Sequence, residues 1–177
     1  MPVKRIATLF IFVIFFTCFF VKSYAGVKYN FIDTNGQSYN SKDFKNKWVI
    51  INYWASWCDS CIDEVPELNK FYFNNKNSNI VILGVNYDHL RDPHLTNAID
   101  KLGIRFPVLK QDPGKELRLG VVSVLPTTFV INPNGDIVKK IIGANTEQSL
   151  LKIVHNQMYV KKIRDFEASD IKSAKLS

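Results

Sequence analysis

The 177-residue chain predicts a three-layer α/β domain built on a mixed central sheet. Three observations lead there. Buried-strand runs alternate with helical patterns, a tight turn makes the last two strand runs antiparallel, and an amphipathic segment closes the chain.

Each element follows from its local pattern. From Val27, strand-like residues flank Thr34-Asn35-Gly36, a hairpin turn expected to cap one sheet edge. Trp48 to Trp54 is a near-continuous apolar run, as in a strand covered on both faces. Asp59 to about Asn74 reads as a helix with Val65, Leu68, Phe71 and Tyr72 on or near its apolar stripe, and Pro66 is expected to kink it. Asn79 to Asn86 is a second buried strand. Asp92 as N-cap and Pro93 in the first turn predict a helix to about Leu102, and Phe106 to Leu109 is a short strand. A brief helix is expected over Lys115 to Leu119. Val124 to Ile131 and Asp136 to Ile142 are strands joined by Asn132-Pro133-Asn134-Gly135. Leu150, Leu151, Val154 and Met158 form the apolar face of the last helix. Beyond Val160 the chain is charged and thin in large apolar residues, so residues 161–177 are expected to be a charged flexible tail.

The first 25 residues read as a signal peptide. Lys4 and Arg5 precede the apolar run Ile6 to Val21, and Ser23-Tyr24-Ala25 predicts cleavage after Ala25. The run is just short of the ~20 residues that span a bilayer, which leaves an uncleaved anchor as the alternative. Phe15-Phe16-Thr17 before Cys18 lacks the small residue expected ahead of a lipid-modified cysteine. Residues 26–160 remain as one domain. Lys4, Arg5 and Lys22 carry three of the formal +7 charges, leaving +4, scattered without aromatic clustering; nucleic-acid binding is not indicated.

The chemistry concentrates in Trp54-Ala55-Ser56-Trp57-Cys58-Asp59-Ser60-Cys61, where a buried strand gives way to a helix. Two cysteines three apart on a first helical turn lie on one face, close enough to alternate between dithiol and disulfide. The unpaired N–H groups and dipole of that turn favour a thiolate, so Cys58, the outer sulfur, is the expected nucleophile. A zinc site would need two more ligands, and His89, His94 and His155 show no paired spacing. A purely structural bridge across so short a loop would remove little unfolded-chain entropy. In an oxidising compartment the dithiol persists only if electrons are supplied to it.

With Trp-Cys-x-x-Cys at Trp57 to Cys61, Pro66 in the helix, Leu-Pro-Thr-Thr-Phe at Leu125 to Phe129 and Asn-Pro-x-Gly at Asn132 to Gly135, the chain resembles the thioredoxin superfamily, specifically its exported TlpA/ResA-like thiol-disulfide oxidoreductases. The resemblance covers roughly Phe31 to Val154. It implies a thioredoxin-like fold with an N-terminal β-hairpin and a central strand-helix insertion matching Asp92 to Leu109. It also implies a cis Leu125–Pro126 bond facing the cysteines, with a trans proline opening a strand as the plain alternative.

Two departures bear on mechanism. Thioredoxin carries a buried aspartate six residues before its first cysteine, and this chain has Asn52, which takes up no proton. The resemblance points instead to Glu64, three residues after Cys61; with its pKa raised by partial burial it would exchange a proton with Cys61, whereas in water it would only stabilise the helix dipole. Asp59-Ser60 replaces the proline common before the second cysteine. Beside Cys58, Asp59 would destabilise the thiolate and favour a reductant, unless it points into water.

The expected function is reduction of disulfides in exported proteins of the periplasm or another extracytoplasmic space, cytochrome c maturation included. Cys58 and Cys61 form the redox-active pair, assisted by Glu64. Trp57, Leu125 and Pro126 present the substrate surface, Trp57 having ordinary packing as its alternative. No cofactor or metal is expected, and a membrane electron donor resets the disulfide. An oxidase would use the same residues in reverse. A peroxidase would want a hydroxyl residue where Ala55 stands. A copper carrier would use the same soft thiolates with His89 or His94.

Overall fold

The computed structural model describes residues 29–174. The apolar leader, Cys18 and the cleavage site expected after Ala25 lie outside them. Three-residue strands β1 (Asn30–Ile32) and β2 (Ser38–Asn40) form an antiparallel hairpin. Buried Asp33 closes its turn by accepting the amides of Asn35 and Gln37, and Gly36 takes the left-handed φ of 83° that the turn requires.

The main sheet holds β3 (Trp48–Trp54), β4 (Ile80–Asn86), β5 (Val108–Leu109), β6 (Thr127–Ile131) and β7 (Ile137–Ile142), in the order β5-β4-β3-β6-β7. β3, β4 and β5 are parallel, and β6 and β7 run antiparallel. The sheet is therefore mixed, as predicted. The hairpin caps its β5 edge: the amide of Thr34 donates to Val108 and that of Lys110 to Ile32.

Helices α1 (Asp59–Asn75), α2 (His94–Leu102) and α3 (Glu147–Ala174) complete the chain. Strand alternation divides the core. On β3, Trp48, Ile50 and Trp54 pack with Val65, Leu68 and Phe71 of α1, Leu95 of α2, and Leu150 and Val154 of α3. Val49, Ile51 and Tyr53 face the other way, toward Phe31, Phe44, Leu119 and Phe129. That second covering layer is made of the hairpin and turns, and the brief helix expected over Lys115 to Leu119 is a run of turns.

Two further boundaries differ from expectation. Pro93 occupies the N-cap of α2 instead of its first turn, behind a cis Asp92–Pro93 bond, while the Asp92 carboxylate accepts from the Thr96 hydroxyl and from Lys110. Where the sequence predicts a flexible tail from residue 161, helical backbone continues to Ala174. Neither Gly nor Pro follows Gly143, so nothing in that stretch breaks the helix. Pro66 lies on the exposed side of α1, where its missing N–H removes one helical bond and α1 continues through it.

Candidate active site

β3 delivers the chain to the carboxyl end of the sheet, the end at which open α/β folds place their sites. There Cys58 is the N-cap of α1, with extended backbone, and its Sγ accepts the amide of Cys61 at 3.2 Å. The two cysteines are joined by a disulfide, with Cα atoms 5.2 Å apart. Both cysteines are buried, Cys58 being 7% exposed and Cys61 2%. Asp59, in the first turn of α1, is exposed.

Trp57 is 67% exposed, which rules out core packing as its role and leaves an apolar surface beside the disulfide. The turn carrying it is held by Asp88, just past the end of β4. Its carboxylate accepts the Ser56 amide at 2.8 Å and the Ser56 hydroxyl at 2.9 Å. Partial burial works against the Asp88 charge, but these bonds, with help from Asn86 and Trp57, outweigh it and leave the pKa below its ordinary value. Asp88 escaped the sequence reading. The available signal was its place one strand over from the cysteines, at the same end of the sheet.

Leu125 and Pro126 are joined by a cis bond. Leu125 is half-buried and packs against the core cluster that contains both cysteines, and Pro126 is buried with its carbonyl accepting the Gly143 amide at 2.9 Å. Leu125 precedes the first ladder residue of β6, Thr127, so its backbone lies beyond the sheet's own pairing.

Glu64 is 2% exposed. It belongs to the buried stripe Cys61, Glu64, Val65, Leu68, Phe71, the i, i+3, i+4, i+7 pattern of a core-facing helix. Asn52 shares the face of β3 that meets this stripe, and its Nδ2 donates to Glu64 Oε1 at 2.6 Å and to Thr128 Oγ1 at 3.0 Å. Burial raises the Glu64 pKa; hydrogen bonds from the Asn145 amide and from the side chains of Asn52 and Asn145 offset part of that rise. The residue standing in for thioredoxin's aspartate is thus in contact with the carboxyl on the helix. Asn145, in the turn before α3, carried no signal in the sequence.

His89 is exposed, with a left-handed φ of 53° and its ring stacked on Tyr87, while His94 opens α2 on the surface. Among the described residues no group of three His, Cys, Asp or Glu side chains is arranged to hold a metal ion, and no helix is long and apolar enough to cross a membrane.

Comparison with known proteins agrees with this fold. Residues 24–140 match the AhpC/TSA family. The thiol-disulfide oxidoreductase ResA of Bacillus subtilis is 35% identical over 135 residues, spanning 75% of this chain and 73% of its own. Two solved structures share the fold. StoA from Bacillus subtilis is 23% identical with a TM-score of 0.59, over 70% of this chain and 92% of its own. A thioredoxin family thiol:disulfide interchange protein from Chlorobium tepidum is 24% identical with a TM-score of 0.62, over 72% and 91%.

Proposed function

The chain belongs to the AhpC/TSA family of thioredoxin-fold proteins and is a thiol-disulfide oxidoreductase, and from that premise we propose that it reduces disulfides of exported proteins through Cys58 and Cys61. The observation that carries the reading is the Cys58–Cys61 disulfide at the start of α1, with Cys58 at the N-cap, where the N–H groups and dipole of the helix stabilise a thiolate.

In the reduced protein the Cys58 thiolate attacks one sulfur of a substrate disulfide. The substrate S–S bond breaks, the leaving thiolate takes a proton, and Cys58 is left in a mixed disulfide. Cys61 then loses its proton to Glu64, one helical turn away on the same face, and attacks Cys58 Sγ. The substrate leaves with its second thiol, and the two electrons it gained are those lost in forming Cys58–Cys61. A membrane electron donor returns the pair to the dithiol. Exposed Trp57 and the Leu125 backbone ahead of Pro126 receive an extended substrate segment. Residues 1–25 direct this domain out of the cytoplasm, by cleavage or as a retained anchor, and cytochrome c maturation is one process such a reductase would serve.

Cys61→Ser blocks the second step. Cells expressing it should accumulate mixed disulfides on Cys58 that vanish under reducing electrophoresis, and their absence would sink the exchange scheme. Direction is read from the reduction potential of the pair. A value at or below about −270 mV marks a reductase, and one near about −120 mV an oxidase. Asp59 is exposed next to Cys58, so water screens its charge and the direction rests on that potential.

A further inference from the structure

The proposed reaction requires a proton acceptor at Cys61, and one of the groups holding that acceptor comes from a distant part of the chain. Asn145 lies in the turn between β7 and α3, 81 residues beyond Glu64, and is 5% exposed. Its amide donates to Glu64 Oε2 at 2.8 Å. Its side-chain Nδ2 donates to Thr128 Oγ1 at 3.1 Å and to the Gly143 carbonyl at 3.3 Å. Asn52 completes a ring: one Nδ2 hydrogen goes to Glu64 Oε1 and the other to the same Thr128 hydroxyl. Asn52 thus donates to one carboxyl oxygen and the Asn145 amide to the other, and both residues are tethered to Thr128, which lies directly opposite Asn52 in the β3–β6 ladder.

We infer that Asn145 is a positioning residue for the thiol exchange: its side chain, locked between Thr128 and Gly143, holds its amide against Glu64 Oε2 and so aims and stabilises the carboxylate that serves Cys61. The inference rests on the role proposed for Glu64. Any residue but proline at 145 would supply an amide. A short side chain with two N–H donors is what fixes that amide to the sheet.

No cation takes part in the ring. On α1 the titratable neighbours are Cys58, Cys61, the solvent-exposed Asp63 and, one turn on, Glu67, which pairs with Lys70 and accepts the Glu147 amide at the start of α3. The Glu147 carboxylate is taken by Asn74. β3 and β6 present only Asn52 and Thr128. The hydrogen bonds thus decide how far the carboxyl is held ionised against its burial.

The test uses the full chain. The reduced protein is mixed with 5,5′-dithiobis(2-nitrobenzoate): Cys58 releases the first coloured thiolate, and Cys61 releases the second. In parallel, Glu64 is titrated in the oxidised protein by carboxyl 13C NMR. Asn145→Ala should raise the Glu64 midpoint and slow the second release at pH 7 about tenfold with the first unchanged, and Asn145→Ser, which keeps one donor, should recover part of both. An unmoved midpoint and rate in Asn145→Ala, even with lowered thermal stability, would overturn the inference. If Asn145→Ala does not fold, an unmoved midpoint in Asn145→Ser does the same. Glu64→Gln separates the two levels. Slow release in Glu64→Gln with normal release in Asn145→Ala removes Asn145 alone, whereas normal release in Glu64→Gln removes the role of Glu64 and this inference with it.

Discussion

Asn52 and Glu64 form a hydrogen-bonded pair in the core, Nδ2 to Oε1 at 2.6 Å, joining the central strand to the cysteine helix. Two periodicities bring them together. Asn52 shares the helix-facing side of β3 with Ile50 and Trp54, and Glu64 sits in the buried stripe of α1. The junction holds one buried carboxyl, on the helix, and an amide faces it from the strand.

Replacing Asn52 by Asp would place two carboxyls within hydrogen-bond distance, and both cannot ionise. It would also remove the donor to Glu64 and Thr128. Asn52→Asp should lose about 2 kcal/mol of stability at pH 7 and recover part of it at pH 5, where the pair shares a proton. Urea midpoints at the two pH values decide this, and equal losses at both would contradict it.

Glu64 gives stability a pH dependence of a definite sign. Its folded pKa is raised above the ordinary 4.5, so the folded state holds the proton longer than the unfolded chain. Below 4.5 the group contributes nothing. As pH rises from there toward the folded pKa, the unfolded chain ionises first and stability falls, reaching a constant deficit above that pKa. Glu64→Gln should remove this decline, whatever its absolute stability. Unfolding free energies of the oxidised protein from pH 4 to 8 provide the check; parallel slopes in the two proteins would refute the assignment.

Trp57, being largely exposed, should contribute to recognition without supporting the fold. Trp57→Ala is expected to change stability by no more than about 0.5 kcal/mol. Reduction of a folded protein disulfide should slow about tenfold, as for loss of one exposed aromatic anchor, while reduction of a small disulfide stays unchanged. Equal slowing for both substrates would show that the ring acts on the sulfurs.

Gly84 lies in β4, opposite Asn52 on one side and Val108 on the other. A Cβ there would meet Phe106 at 3.0 Å, Trp54 Nε1 at 3.1 Å and Val108 at 3.2 Å. These neighbours are themselves packed side chains, so Gly84→Ala should cost about 1–3 kcal/mol by overcrowding. A urea midpoint equal to that of the native protein would mean that Phe106 yields freely.

By itself the sequence determined what depends on near neighbours. The unbroken apolar run at Trp48 to Trp54 marks a strand covered on both sides. The turns at Gly36 and Gly135 need left-handed backbone, which glycine supplies at little cost. Cys58 and Cys61 fall on a first helical turn because the strand ends just before them. The burial of Glu64 was not legible there: its spacing from Cys61, Leu68 and Phe71 suits a buried stripe, but a carboxylate at that place reads equally as a solvated first-turn acid. Tertiary structure alone decided what surrounds that carboxyl. Its contact with Asn145 joins residues 81 apart and depends on how the turn after β7 docks against α1. Local periodicity states which face a side chain takes; the partner it finds there is settled by packing between elements, to which propensity and spacing are blind.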